Sequence, residues 1–374
     1  MKKLLIIIII ALFSLTGCNF FEAPVQKEKT DSKENIDIDI DIDNDQFNDD
    51  TSYLYYYNNL STKEKEIYTS IYNCLINYQS KIELPSADYE QIVSINEYVL
   101  YDHPEIFYFN YFELQNQVDV CYYKPIYTYN QDEVTELTKQ LENIRNQFIS
   151  SLDSNSSDYD KLKAIYNYVI EKNTYVDGAK DNQYITSALI YGNTVCSGYV
   201  KAIQYLCEAI DINSAYIVGK ALNDSDNSSH AWNLIELDGD YYYLDATWGD
   251  YVDEQNAFTM YSYFMFDSDT MLKLYQPTSD YKNTINGKYC YFDYENYYNE
   301  SYDLNLLKSM VGNYRSNGIN WMEFKFSDSC YQQAKTNLID NEEMFDLYNQ
   351  YASGSYSIQY FYLDSLNILI FKMP

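Results

Sequence analysis

The tightest constraint in this chain is a four-residue run, Leu237-Asp238-Gly239-Asp240. Asp-Gly between two apolar runs is the strongest short-range signal for a two-residue β-hairpin, because both turn positions need positive φ. With Asp238 and Gly239 as the turn, the register of both flanking strands follows: Trp232 faces Asp245, and His230 faces Thr247. Side chains alternate along a strand with a period of two, so these four residues share one side of the sheet. His230 and Asp245 become diagonal cross-strand neighbours about 7 Å apart at the backbone, within reach of a side-chain hydrogen bond. A slip of one residue would destroy the arrangement.

His230 is one of only two histidines in the chain. Upstream, Thr194-Val195-Cys196-Ser197-Gly198-Tyr199 leads into apolar residues at helical spacing, Tyr199, Ile203, Leu206 and Ile210. Cys196 is therefore expected at the first turn of a buried helix. There the helix dipole and the unpaired amides favour a thiolate and can cradle an oxyanion. Ser197 and Gly198 are expected to keep the turn small enough for a substrate backbone to approach. A thiol, an imidazole and a carboxylate in this order are the parts of an activated cysteine nucleophile. Each residue alone also has a plainer reading, a structural cysteine at a helix start or a buried strand aspartate bonding a neighbour.

Taken together, Val195-Cys196-Ser197-Gly198-Tyr199, His230-Ala231-Trp232-Asn233 and Tyr243-Leu244-Asp245-Ala246-Thr247-Trp248 resemble the bacterial transglutaminase-like domain of the papain-like cysteine-enzyme superfamily. The resemblance covers roughly residues 157 to 270. It implies an α+β core in which a helix carrying Cys196 packs on an antiparallel sheet carrying His230 and Asp245. Cys196 would be the nucleophile, His230 the general base and acid, and Asp245 the orienting residue, with Tyr199, Trp232 and Trp248 supporting the site or the substrate. Asp211-Ile212 departs from the Gly-Ile that often follows the helix in such domains.

The chain opens with Lys2 and Lys3, an apolar run from Leu4 to Leu15, and Leu15-Thr16-Gly17-Cys18. This resembles a bacterial lipoprotein signal, with Cys18 as the site of lipid attachment. Residues 19–50 are polar and acidic, with isoleucine and aspartate alternating from 36 to 43, and are expected to be a disordered spacer. Calcium binding there is disfavoured, since the loop glycine and closing glutamate of an EF-hand are missing. A mainly helical domain is expected over 51–153, the catalytic domain over 154–275, and a small α/β sandwich of βαβαββ order over 276–374.

In the first of these, Ser61 and Glu64 form a capping box before Ile67, Ile71, Leu75 and Tyr78. A second helix bearing Ile92, Ile95 and Val99 ends near Asp102-His103-Pro104-Glu105, where His103 is expected to be a structural turn residue. A long helix runs from about Asp132 to Leu152, and Ser157 with Asp160 starts the next. In the C-terminal region Tyr289-Cys290-Tyr291-Phe292 reads as a strand, as do Trp321 to Phe326 and two terminal strands meeting near Asp364-Ser365.

A net charge of -31 repels nucleic acid and anionic lipid surfaces and argues against a partner held by phosphate neutralisation, leaving polycationic or neutral polymers open. Arginine occurs only at Arg145 and Arg315, a bias that coding composition produces, so the 46 tyrosines are not read as a binding device. If Cys196 and Cys207 share one helix, eleven residues separate them by roughly 16 Å, beyond disulfide reach. No metal or cofactor is expected. The overall expectation is a monomeric, membrane-tethered, extracytoplasmic cysteine enzyme acting on an amide or peptide carbonyl of a protein or peptide at the cell surface. Hydrolysis is favoured over transfer to an amine because export implies abundant water. The alternative is a binding or scaffold lipoprotein with a vestigial triad.

Overall fold

A computed structural model describes residues 4–7, 51–85, 88–117, 120–222, 228–252, 256–351 and 355–373. Cys18, the acidic spacer and most of the loop from Asn223 to Ser229 lie outside the described residues. By internal contacts the chain forms two compact units, each built from separated segments: 19–154 with 176–216, and 1–18 with 155–175 and 217–374. Among the described residues no helix is long and apolar enough to cross a membrane.

In the first unit the expected capping box forms. The Ser61 hydroxyl accepts the Glu64 amide while the Glu64 carboxylate accepts the Ser61 amide, opening the helix Thr62–Ile76, which buries Ile67, Ile71 and Leu75. Tyr78 falls beyond that helix, with φ of 54°. Asp88 caps Tyr89–Asp102 through the Gln91 amide at 2.8 Å, and Asn130 with Glu133 caps Gln131–Ser151. Ile82–Leu84, Val120–Tyr127 and Phe109–Gln117 make a three-stranded antiparallel sheet in that order. Asp102 accepts the Tyr56 and Tyr57 amides at 3.0 and 2.9 Å and the Tyr68 hydroxyl at 3.0 Å. Burial nevertheless pushes its carboxyl up to about 6. His103 closes the same helix, its Nδ1 2.9 Å from Glu105 Oε1 and its ring against Tyr72.

The helix Cys196–Glu208 belongs to this unit, and every residue from Cys196 to Cys207 is buried. Gln204 fastens it to the Tyr89–Asp102 helix by donating Nε2 to the Tyr101 carbonyl at 2.9 Å. At its exit Asp211 takes φ of 58°, and the Ile212 amide returns to the Cys207 carbonyl at 3.1 Å. That left-handed position suits glycine best, and aspartate is among the few other residues that tolerate it.

In the second unit Ser157 caps the helix Asp158–Lys172, which buries Leu162, Ile165, Tyr166 and Val169. A four-stranded sheet runs in the order Tyr275–Pro277, Ser214–Ala221, Ser229–Leu237, Asp240–Leu244. A five-stranded sheet runs Leu4–Ile7, Ser357–Leu363, Ile368–Lys372, Trp321–Phe326, Tyr298–Asn299. The expected strand at Tyr289–Phe292 is instead a turn leading into the helix Tyr291–Tyr294. Cys290, Tyr291 and Phe292 are buried in succession, a pattern that an alternating strand with one exposed face cannot produce. Tyr298–Asn299 supplies the first strand instead, followed by the helix Leu304–Ser316 and the strand Trp321–Phe326, so the βαβαββ order survives.

Candidate active site

Asp238 and Gly239 have φ of 53° and 77°, the two left-handed positions of a type I′ turn. Pairing runs from Leu237–Asp240 to Asn233–Leu244, in the expected register. There the ladder stops, and the expected Trp232–Asp245 and His230–Thr247 pairs do not form. The Asp245 amide turns away to the Tyr263 carbonyl at 2.9 Å, and Asp245 becomes the cap of the helical turn Ala246–Gly249. An aspartate two and three residues before free amides is a strong N-cap, and that preference ends the strand. Gly249 is required inside the turn, because a Cβ there would lie 1.8 Å from the Tyr166 hydroxyl.

Capping does not consume the carboxylate. Asp245 Oδ1 accepts the Thr247 and Trp248 amides at 2.9 and 3.1 Å, which leaves Oδ2 for His230 Nε2 at 2.7 Å. The Tyr275 hydroxyl donates to the same Oδ2 at 2.6 Å. Four donors therefore hold one carboxylate, and the His230 and Asp245 side chains are only 6% and 0% exposed. A charge buried this deeply persists only when its lone pairs are filled, and these are. With Asp245 as acceptor, Nε2 of His230 carries the proton and Nδ1 keeps the lone pair. Burial, and next the Asp245 charge, hold the Tyr275 phenol well above its ordinary value, so it stays a donor.

Aromatic rings wall in the pair. Trp248 and Tyr275 stack on the His230 ring at centroid distances of 5.2 and 5.6 Å, and Trp232 stacks on Tyr275 at 4.4 Å. Gly219 makes room for this stack, since a Cβ would meet the Gln276 carbonyl at 2.2 Å and the edge of Trp232 at 2.7 Å. Tyr275 was invisible to sequence reasoning because it is one tyrosine among 46.

Cys196 is the first residue of its helix, fully buried after the extended cap residue Val195. Cys74, Cys121, Cys207, Cys290 and Cys330 are free and buried. The role expected of Ser197 and Gly198 needs correcting. A Cβ on Gly198 would sit 1.8 Å from Thr194 Oγ1, and the Ser197 hydroxyl donates to the Gln183 carbonyl at 2.9 Å. Both residues are small so that the helix can pack on the preceding 183–194 segment of its own chain, not so that a substrate can approach. Tyr199 is likewise fully buried. Among the described residues no group of three or more histidine, cysteine and acidic side chains is placed to hold a metal ion.

Residues 146–246 match the sequence profile of the transglutaminase-like superfamily. This stretch is a transglutaminase-like domain. It contains Cys196, His230 and Asp245, and the fold around it is a mixed helix-and-sheet core of that kind. No curated protein matches the chain. Among solved structures it is similar to a candidate cysteine protease from Cytophaga hutchinsonii, at 17% identity over 34% of this chain and 52% of that one, with a TM-score of 0.26. A structure described as a TGase is 13% identical over 45% of this chain and 50% of that one, with a TM-score of 0.27. Menin, described with its binding site for the Mixed Lineage Leukemia protein, is 12% identical over 61% and 49%, with a TM-score of 0.24. The chain spans about half the length of each of these.

Proposed function

We propose that this protein is a cysteine enzyme in which Cys196 attacks the carbonyl of an amide or peptide bond, with His230 as acid and base and Asp245 as the orienting carboxylate. The observation that carries the reading is the buried His230–Asp245 pair, with every Asp245 lone pair engaged. Two of the four donors cap the following helical turn, and the other two, His230 Nε2 and the Tyr275 hydroxyl, meet on the oxygen that orients the imidazole and leaves Nδ1 as its base. His230 Nδ1 takes the thiol proton, and the thiolate adds to the carbonyl carbon. The C–N bond then breaks as the imidazolium passes its proton to the departing amine, leaving a thioester on Cys196. Water, deprotonated by the same nitrogen, cleaves the thioester to a carboxylic acid and the thiol, giving a peptidase or amidase. The resemblance of the leader to a lipoprotein signal supports tethering through Cys18 outside the membrane, with surface proteins or peptides as substrates.

The alkylation rate of Cys196 with iodoacetamide near neutral pH tests the reading. The expected result is a rate well above that of a free thiol, falling at least tenfold in His230→Ala and Asp245→Asn. A wild-type rate no faster than a free thiol, unchanged in both variants, overturns it. Ammonia release from glutamine peptides, with and without added amine, then separates hydrolysis from acyl transfer.

A further inference from the structure

Asp245 faces more than His230. Its own backbone amide is held by the carbonyl of Tyr263, in the short 3-10 turn Tyr261–Tyr263, whose aromatic ring also packs edge-on against Trp248 at 5.5 Å. What holds that turn decides how firmly Asp245 is placed. On one side the Phe266 backbone exchanges two hydrogen bonds with Tyr243, and on the other the Met260 amide reaches the Gly249 carbonyl at 2.8 Å. The middle of the turn is fastened from elsewhere. Glu323, on the strand Trp321–Phe326 of the C-terminal sheet, accepts the Tyr261 amide at 2.7 Å and the Ser262 amide at 2.8 Å, one on each carboxylate oxygen, and also the Ser262 hydroxyl. Glu323 is 2% exposed. Its backbone is pinned in turn by Tyr314, whose hydroxyl donates to the Glu323 carbonyl at 2.8 Å and accepts its amide at 3.2 Å.

A carboxylate inside a β-sheet core is an expensive way to hold a buried turn, and apolar packing would be more stabilising. The bonding pattern has a specific effect, however: it fixes two consecutive backbone amides of the turn, and the Phe264 amide, closing that turn on the Tyr261 carbonyl at 3.0 Å, carries the placement to the Tyr263–Phe264 peptide and so to the Tyr263 carbonyl. We infer that Glu323 is a positioning residue for the His230–Asp245 pair, through which the C-terminal sheet fixes the site. It rests on the proposed function, in that the pair it positions is the catalytic one. The residues concerned all lie within the 217–374 segment of one compact unit. A role for the C-terminal region follows: it carries no catalytic group of its own but completes the frame on which Asp245 is hung.

The inference predicts that loosening Glu323 changes the proton affinity of His230 in the folded protein. Only His103 and His230 exist in the chain, so isotope-labelled histidine gives two imidazole signals that a His103 variant assigns. The measurement uses the full chain in a Cys196→Ala background, which removes coupling to the thiol. The groups facing His230 are then Asp245, Tyr275, Trp248 and Trp232. Glu323→Gln places an amide NH2 against the Tyr261 or Ser262 amide and breaks one of the two contacts. The expected result is a His230 titration midpoint lowered by about half a pH unit, a threefold shift in the protonation ratio, with Asp245→Asn lowering it further. A midpoint unchanged in folded Glu323→Gln overturns the inference. Should that variant not fold, Ser262→Ala deletes one donor and leaves the carboxylate with its two amides; a smaller shift in the same direction supports the inference, and none overturns it. Failure of the catalytic reading would show separately, as an unreactive Cys196 in the wild type.

Discussion

The same glutamate makes a pH-dependent contribution to stability whose sign can be worked out. Burial acts against three donors at Glu323, and burial prevails, raising its carboxyl from 4.5 to about 7. The groups that face it are Tyr261 and Ser262 from the turn and Tyr314 from the helix, with Lys163 opposing the rise from farther off. In the unfolded chain the carboxyl ionises near its ordinary value. Below that value both states hold the proton and no penalty exists. Between the two values the unfolded chain releases a proton that the folded protein keeps, so stability falls as pH rises and levels out above about 7. The full change is about 3 kcal/mol. Other carboxylates titrate in the same window, so the useful quantity is a difference between wild type and Glu323→Gln, measured by urea unfolding between pH 5 and pH 8. A constant offset is expected, because the glutamine NH2 opposes a backbone amide. The diagnostic part is the slope: over this range wild type should lose about 2 to 3 kcal/mol relative to the variant. A flat difference, or a wild type that gains on the variant with pH, would show that the three donors outweigh burial and would refute the reasoning.

Three further outcomes are expected. Tyr275→Phe keeps the ring stacked on Trp232 and removes only the bond to Asp245, so it should cost about 2 kcal/mol in urea unfolding; a loss under about 0.5 kcal/mol would mean the hydroxyl is not holding the carboxylate. Gly198→Ala forces a methyl into Thr194 Oγ1, whose position is set by bonds to Asn182 and Ser187, and should destabilise by about 2 to 3 kcal/mol, read by calorimetry. Lys201 is buried on the Cys196 helix between the rings of Tyr184 and Tyr216, and burial lowers its ammonium to about 8. Because that folded value lies below the ordinary 10.5, the folded protein carries a penalty at neutral pH that is relieved only as pH rises past about 8. Lys201→Met should therefore stabilise by about 2 kcal/mol at pH 7, with the gain shrinking by pH 10.

Local signals in the sequence were read well where one residue type satisfies one backbone requirement. The capping box at Ser61, the cap at Ser157 and the Asp238–Gly239 turn are of this kind, and each element begins or reverses where its chemistry says it should. The hairpin register brought His230 and Asp245 to one face from spacing alone. It failed at the last step because Asp245 has a competing local use as an N-cap, and Ala246–Gly249 turns helical. The His230 contact survives because a carboxylate has two oxygens, one for each task. Tyr275 and Glu323 were beyond reach for a different reason. They act through contacts 30 and 61 residues away in the chain, and neither residue type is rare enough to draw notice. The run at Tyr289–Phe292 misled because tyrosine and phenylalanine favour strands on average, whereas here three buried residues in succession suit a helical turn.

The aromatic wall around His230 has an optical consequence. The chain has three tryptophans. Two of them, Trp232 and Trp248, lie against the imidazole with ring centroids 6.3 and 5.2 Å away, while Trp321 is stacked on Phe258 in a different cluster. A protonated imidazole in contact with an excited indole quenches its emission, and a neutral one does so far less. Most of the intrinsic fluorescence of this protein should therefore follow the charge state of a single side chain, so the site carries its own reporter and can be titrated in the unlabelled protein before any substrate is known.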